Sequence, residues 1–471
     1  MHAVRGLNGS FRTPPSWRTI SRFIARCWAG TSARRRHSLR TVVSSPGTGI
    51  FAQQIARAFW EHGALDAYVT TFAYRQDGFL ARALRCAPRS LAQKLRKDLE
   101  RRAVTLLPSG LVETSSFWEV ARIAALRAGG SPILVDRIWD RQSHSFDAFV
   151  ARRFVPRAAA VYAYEYAAQA SFEKARATGV AAILDLPSLN SRAFEALQRA
   201  EKGRFPELTS ASDVYFDGKF EQRQRRRDEE IRLADVIVTN SNLAKASHVE
   251  GGANPEKIVV VPLAAPPAIS AVATRFDRNK PLNVLWAGNF SLGKGAHYFL
   301  AAWRQLGSAE FARASVYGRV SLPESALHDL PAGISFHGVV PQSELFPALE
   351  AADILVFPTL SDGFGMVVTE AFAKGLPVIT TDRAGAAQLI RHGENGLIVP
   401  AADPTALRDA LRWCLDNRDK VHAMRFSALD TAKRWQWCDY RRHFIAALDA
   451  ALHRAGFSPS FMPSMNAPST P

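Results

Sequence analysis

Apolar residues along the chain gather into short, β-branched runs, and most runs are followed by a stretch in which apolar positions recur at helical spacing. The first run is TVVSS from Thr41. It leads into the turn Pro46-Gly47-Thr48-Gly49 and then into Ile50, Ile55, Ala58 and Phe59, which share one helix face up to Gly63. The alternation continues through Leu65 to Phe72, AAAVYAY, VAAILDL, DVIVTNS and KIVVVP. After a break it resumes with NVLWAG, RASVYGR, GISFHG, DILVFP, PVITT and GLIVP. Strands without polar alternation suit a parallel sheet covered on both faces, so the pattern predicts an α/β protein with two Rossmann-like, doubly wound sheets. The break, from Pro262 to Pro281, is rich in Pro and Ala and reads as an interdomain linker.

One stretch organises the second half. Phe357 to Pro377 reads FPTLSDGFGMVVTEAFAKGLP and predicts strand end, glycine loop and helix; Val367, Val368, Ala371 and Phe372 form the apolar stripe, and Gly375 with Pro377 ends it. The loop residues Gly363, Phe364 and Gly365 meet the helix start, where unpaired N–H groups and the dipole favour an anion such as phosphate. Asp362 and Glu370 flank that position. Taken alone, the first could be a helix cap and the second a solvated side chain. Upstream, NVLWAG ends in Gly288 and Asn289, and Lys294 stands between Gly293 and Gly295 at another predicted helix start. Alone, that lysine could belong to an exposed turn; the glycines would let backbone approach a ligand closely while the lysine supplies a full charge.

Together these motifs resemble the nucleotide-sugar site of retaining GT-B glycosyltransferases of the family 4 type, glycosyl transferases group 1. The resemblance implies two Rossmann-like domains facing a central cleft, transfer of a sugar from a nucleotide sugar to an acceptor hydroxyl with retention, and no cofactor or metal ion. It implies that Lys294 and the helix N–H groups near Gly363, Phe364 and Gly365 hold the donor diphosphate, that Asp362 binds donor-sugar hydroxyls, and that Glu370 holds the ribose. Gly288, Asn289, Gly293 and Gly295 would line the same donor site, with Gly47 and Gly49 facing the diphosphate from the N-terminal domain. The chain then divides into a basic tail (1–40), an N-terminal acceptor domain (41–262), a linker (263–281), a nucleotide-sugar domain (282–425), a C-terminal helix crossing back (426–456) and a second tail (457–471). This sequence departs from the family pattern at three positions: Asp362 stands where Glu is usual, Asn289 where Arg is common, and Gln388 where Glu is usual. The N-domain histidine of the family has no secure counterpart. Glu165 and Asp185 lie at strand ends facing the cleft, where capping a helix is as good a reading as catalysis; His144 and His248 read as surface residues.

Composition adds a location and a charge problem. Four scattered cysteines without a C-x-x-C pair, no apolar run long enough to span a bilayer, and no opening signal peptide fit a cytoplasmic protein. The net charge of +17 attracts polyanions or an anionic membrane surface, and without basic-aromatic interleaving the membrane is preferred to nucleic acid. Residues 1–40 are Arg-rich and read as a tail, with a surface-seeking arm, an extended start and a transit segment as its alternatives. Leu91, Leu95 and Leu99 among Arg89, Lys94, Arg96, Lys97, Arg101 and Arg102 predict a basic amphipathic helix that packs on the domain or lies on anionic lipid at the inner membrane surface. Arg223, Arg225, Arg226 and Arg227 read as a solvated helix face. The expected partners are therefore a nucleotide sugar, a carbohydrate or lipid-linked acceptor such as a glycolipid or polysaccharide precursor, and an anionic membrane surface, with no nucleic acid. A catalytically silent GT-B protein that binds a nucleotide sugar or a partner, and a nucleotide-sugar epimerase, are the alternatives.

Overall fold

A computed structural model of the chain describes residues 40–74, 99–100, 102–208, 213–272, 277, 279–307 and 310–457. Both tails and most of the basic amphipathic segment lie outside the described residues.

The apolar runs become two all-parallel sheets. The first holds β1 (Thr41–Ser44), β2 (Leu65–Thr70), β3 (Val112–Thr114), β4 (Ala160–Tyr164), β5 (Ala181–Leu186), β6 (Val236–Thr239) and β7 (Ile258–Val260), in the order β3-β2-β1-β4-β5-β6-β7. The second holds β8 (Leu282–Ala287), β9 (Ala312–Tyr317), β10 (Ile334–Gly338), β11 (Ile354–Phe357), β12 (Val378–Thr381) and β13 (Gly396–Val399), in the order β10-β9-β8-β11-β12-β13. Strands β1, β4, β5, β6, β11 and β12 are buried at every position, which is why their sequences show no polar alternation. Strand order reverses between β1 and β4 and again between β8 and β11. Doubly wound sheets bind ligands beyond the carboxyl ends of their strands at such reversals.

The helices of the first domain are α1 (Ile50–Glu61), α2 (Phe117–Arg127), α3 (Pro132–Arg153), α4 (Gln169–Thr178), α5 (Ser191–Arg204), α6 (Asp213–Leu233) and α7 (Asn242–Glu250). Those that follow are α8 (Ala296–Leu306), α9 (Gln342–Ala351), α10 (Met366–Ala373), α11 (Pro404–Asp416), α12 (Arg418–Arg434) and α13 (Trp437–Arg454). None of the helices among the described residues is long and apolar enough to cross a membrane.

The segment expected to cross back from residue 426 divides in two. Helix α12 stays with the second domain against α10; the crossing element is α13, which begins only at Trp437 and packs on α1. Phe444 sits 5.6 Å from Phe59 and 5.7 Å from Tyr162, both edge-on, and Arg441 bonds Glu61 at 2.6 Å and Gln54 at 2.7 Å. Edge-on aromatic pairs of this kind add about 0.5–1.5 kcal/mol each beyond their area burial.

The basic run of α6 corrects its reading as a solvated face. Arg223 donates to both oxygens of Asp136 at 2.7 Å and bonds Asp140, Arg226 pairs with Asp147 and Glu230, and Arg227 faces Glu165 at 3.5 Å; of the run only Arg225 is exposed. Three of the acceptors, Asp136, Asp140 and Asp147, project from α3. Asp147 and Glu230 also accept from the first N–H groups of α4, at Ala168, Gln169, Ala170 and Ser171, so a buried network of α3, α4 and α6 satisfies a helix end that has no cap of its own.

Candidate functional site

Loops at the carboxyl ends of β8 and β11, the strands at the reversal, and of the neighbouring β12 build the second domain's side of the cleft. After β8, Gly288 takes φ +128° and Gly295 φ +76°; a Cβ on Gly295 would lie 2.0 Å from the carbonyl oxygen of Pro358. Glycine is therefore required for the Lys294 loop to lie against the loop after β11. Leu360 N–H donates to Gly293 O at 3.1 Å and ties the two together. Lys294 and Asp362 consequently meet in a direct ion pair, and the Lys294 ammonium stands 5.7 Å from the centre of the Phe357 ring.

The glycine loop is held on both sides. Asp362 N–H donates to Arg383 O, Gly385 N–H to Asp362 O and Ala386 N–H to Phe364 O, while Phe364 N–H turns back to the Asp362 carboxylate at 3.1 Å. Phe364 itself is buried. Gly365, at φ +88°, is the uncapped entry to α10, whose first turn carries no acid. Gly363 touches the first domain: an added Cβ would lie 2.1 Å from Pro187 O, and Ser241 Oγ donates to Gly363 O at 2.6 Å.

Lys294, Asn289 and Gly293 line a cleft cavity of about 840 Å³ whose opposite wall is formed by α5 and α6, through Glu195, Gln198, Arg223 and Arg227. Asp362 lines a smaller cavity of about 160 Å³ with Phe364 and Gly365 on one side and Asp185, Asn240 and Tyr440 on the other. Glu370 lies off both cavities as lined. It is one turn into α10, beside Gln342 at the start of α9, and burial pushes its carboxyl up to about 7 against a lowering hydrogen bond from Gln342. Gly47 lines neither; it belongs to a separate cavity over β1 and β2, and Gly49 caps the entry to α1. The structure thus brings Lys294, Asp362 and the Gly363–Gly365 loop together, sets Glu370 on the far side of α10's first turn, and keeps the N-terminal glycine turn apart.

Two unusual residues find partners of their own. Asn289 accepts from Ser321 Oγ at 2.8 Å, and Gln388 Oε1 accepts from Asn242 N–H at 3.2 Å, so the amide that stands in place of a carboxylate is used across the domain boundary at the start of α7. Asp185 caps no helix. It is buried, takes a hydrogen bond from Tyr162 OH at 2.6 Å, and burial pushes it up to about 7 despite that bond. Glu165 caps none either and faces Arg227. His144 is exposed as expected, but His248 is buried, with its Nε2 3.0 Å from Ser188 O and its Nδ1 without a partner, and burial holds its pKa down. Sequence reasoning left Asn240, Ser241 and Glu201 unmarked. Glu201 accepts from Tyr298 OH at 2.9 Å and lies 3.3 Å from His297 Nε2 across the cleft. Only the run TNS after a strand, at a strand end like the other loops, could have drawn attention to Asn240 and Ser241. Among the described residues no group of three or more His, Cys, Asp or Glu side chains could hold a metal ion.

Comparison with known proteins follows this division of the chain. Over 114 residues the sequence is 32% identical to the D-inositol 3-phosphate glycosyltransferase of Corynebacterium kroppenstedtii, covering 24% of this chain and 25% of that protein. With the Corynebacterium aurimucosum protein of the same name it is 28% identical over 228 residues, covering 43% and 54%. The chain therefore spans from a quarter to about half the length of these curated relatives. Among solved structures, Anabaena HepE in complex with UDP superposes with a TM-score of 0.56 at 15% identity, over 88% of this chain and all of that one. Sucrose-phosphate synthase from Thermosynechococcus elongatus gives 0.56 at 15% identity, over 89% and 100%. At such identities the likeness is one of fold, and that fold is GT-B. Residues 281–417, which carry Lys294, Asp362 and Glu370, match the model of the family Glycosyl transferases group 1.

Proposed function

We propose that the chain is a retaining glycosyltransferase that moves a sugar from a nucleotide-sugar donor to a hydroxyl of a carbohydrate or lipid-linked acceptor. The observation that carries this reading is the meeting of Lys294 and Asp362 on two glycine loops at the reversal of the second sheet, next to the uncapped start of α10. Breaking the anomeric C–O bond leaves positive character on the sugar and negative charge on the departing diphosphate. Lys294 and the first N–H groups of α10 stabilise that charge, and Asp362, freed from Lys294, accepts hydroxyls of the sugar. The acceptor oxygen bonds to the anomeric carbon from the face the diphosphate leaves, and a departing phosphate oxygen takes the acceptor proton. Glu370 holds the ribose. In this scheme the diphosphate is neutralised by Lys294 and backbone dipoles, without a divalent cation or a cofactor.

The similarity to proteins named as glycosyltransferases and to a UDP-bound structure supports a nucleotide-sugar donor. The net charge of +17 supports work at the inner membrane surface, as a peripheral cytoplasmic protein. A second reading, a silent nucleotide-sugar binder, draws support from Asn289 and Gln388, whose side chains are engaged by Ser321 and by Asn242.

The test is to incubate the purified chain with UDP-glucose and other nucleotide sugars and acceptors and to follow nucleotide diphosphate release. Lys294→Ala should lower turnover about 10²–10³-fold, the loss typical of one preorganised donor, with the fold unchanged. Donor binding without turnover would favour the silent binder, and turnover in Lys294→Ala at the wild-type rate would remove the lysine from the chemistry.

A further inference from the structure

We infer that the cavity over β1 and β2 is an acceptor site for a phosphate-bearing, hydroxylated compound; this rests on the transferase reading above and names the class of acceptor. The cavity encloses about 690 Å³ on the same carboxyl-end edge of the first sheet that carries Asp185, and its wall includes Gly47, Thr48, Arg102, Glu119, Arg122 and Arg127.

Its charge is lopsided. Arg102 and Arg122 both bond Glu119, the latter through Nε at 2.9 Å and Nη2 at 2.8 Å. One carboxylate shared by two guanidinium groups leaves a positive charge in excess. Arg127 also lines the wall, and Glu119 is the sole acid among the described lining residues. Guanidinium groups held in fixed orientation are suited to bidentate contact with phosphate oxygens.

The adjoining backbone has the same polarity. Helix α1 starts beside the cavity at Gly49 with no side-chain cap and no acid in its first turn, so its leading N–H groups carry the positive end of the dipole. The turn before it is pinned: Ser45 Oγ and Tyr68 OH donate to Gly47 O at 2.8 and 2.9 Å, and Thr71 Oγ1 donates to Pro46 O at 2.6 Å.

A further observation points independently to a ligand. Gln142 lines the cavity, is 5% exposed, and its Oε1 has no hydrogen-bond partner. A buried amide oxygen left unpaired is costly, and the group that satisfies an acceptor is a donor such as a hydroxyl. Anion-binding groups on one side and an unpaired acceptor on the other match a compound carrying phosphate and hydroxyls together.

The phosphate could arrive on a soluble sugar or polyol ester or on a lipid headgroup, and two arms separate these sources. Calorimetry of the full chain with sn-glycerol 3-phosphate reads the soluble ester. Sedimentation with phosphatidic acid vesicles, with and without competing glycerol 3-phosphate, reads the headgroup. Arg122→Gln should weaken binding by about tenfold to a hundredfold, the loss expected for a charge-assisted hydrogen bond. Arg127→Gln, a change at an exposed position that leaves the Glu119 cluster whole, should weaken it severalfold, and Gln142→Leu should lower affinity for glycerol 3-phosphate more than for inorganic phosphate. All three should bind UDP as wild type does, whereas Lys294→Gln should lose UDP and keep glycerol 3-phosphate. Failure of wild type to bind UDP would sink the donor reading and leave the phosphate arms to decide this one. Binding of the soluble ester alone marks a free acceptor, and vesicle binding competed by the ester marks a headgroup. Wild type binding neither, or Arg122→Gln and Arg127→Gln both binding as wild type, overturns the inference.

Discussion

Replacing Asp185 by Asn should make the protein more stable, and increasingly so as the pH rises. Asp185 is buried beneath Tyr162, Tyr164 and Tyr440, and no cation pairs with it in the described structure; the other carboxyl on its cavity is Asp362, which is held by Lys294. Burial raises its pKa from 3.8 to about 7, with the hydrogen bond from Tyr162 acting against that rise. The folded state therefore keeps a proton that the unfolded chain has already released, so stability falls as pH climbs from 3.8 toward 7 and the whole penalty is present above it. A rise of about three units at 1.36 kcal/mol each sets that penalty at about 4 kcal/mol in full and about 1–2 kcal/mol at pH 5. Asparagine has the same shape and no charge. Its amide oxygen still accepts from Tyr162, and its NH₂ faces a cavity in which Asn240 Oδ1 lacks a partner. The variant should thus gain about 2–3 kcal/mol on wild type between pH 5 and pH 8. Glu230 and Glu370, which burial also pushes up to about 7, titrate in both proteins and cancel in the difference. Urea denaturation of both proteins across that pH range measures it. A stability difference that does not change with pH would refute the account of Asp185 as a buried, uncompensated acid.

The Glu370 carboxylate forms as pH rises through about 7, so UDP affinity should increase from pH 6 to pH 8 if the ionised group holds the ribose, and Glu370→Gln should flatten that slope; calorimetry at the two pH values checks it. Gly363→Ala puts a methyl group against Pro187 O, where an added Cβ lies at 2.1 Å, so it should cost about 1–3 kcal/mol as overpacking or be relieved by parting the domains. A lower melting temperature or a larger radius of gyration in solution scattering is expected, and wild-type values of both would contradict the contact. Phe444→Ala removes a buried ring from between Phe59 and Tyr162 and should cost about 3–5 kcal/mol in denaturant melts.

What the sequence disclosed depended on the range of the interaction. The strands buried on both faces were legible because burial alone determines their composition. The short edge strand β3, Val-Glu-Thr, is half-exposed and gives no such signal. The helical hairpin of α2 and α3 was missed for a similar reason: α2 buries only Glu119, and on α3 the buried face mixes Gln142, Ser143 and Asp147 with Phe146, Val150 and Ala151, so its apolar stripe is short and interrupted. Arg223, Arg226 and Arg227 looked solvated because, Glu230 apart, their carboxylate partners lie on distant stretches that no local periodicity connects to them. At the site, Lys294 and the Asp362 loop were legible through their glycines. The wall opposite, with Asp185, Asn240 and Ser241, comes from strand ends whose polar residues gain meaning only once the second domain faces them.

That dependence on two domains also limits how the cleft can open. The chain passes between the sheets twice, after β7 and again between α12 and α13, and the two passages are bonded to each other. Ala265 N–H donates to Trp435 O at 3.1 Å, Trp435 Nε1 donates to Pro262 O at 3.0 Å, and Ala265 forms a parallel bridge with Gln436. Helix α13 is packed on α1 and moves with the first domain, whereas α12 is packed on α10 and moves with the second. Any separation of the domains must therefore bend at Pro262–Ala265 and Trp435–Gln436 together, because a bend at one alone would break their shared hydrogen bonds. The contacts that then part include the hydrogen bonds of Ser241 to Gly363, Asn242 to Gln388 and Tyr298 to Glu201, with His297 beside Glu201 and the Phe205 ring edge-on to His297 at 4.6 Å and to Tyr298 at 5.8 Å. A cleft closed by such bonds, each worth about 0.5–1.5 kcal/mol net, can be opened to admit a donor and closed again by the donor's own contacts, while the apolar packing of α13 stays intact. Substrate entry and most of the fold's stability are thus assigned to different surfaces: Ser241→Ala should ease opening at the cost only of the α7 cap that Ser241 Oγ makes with Ala244 N–H, about 0.5–2 kcal/mol, where Phe444→Ala should cost more in stability without easing opening.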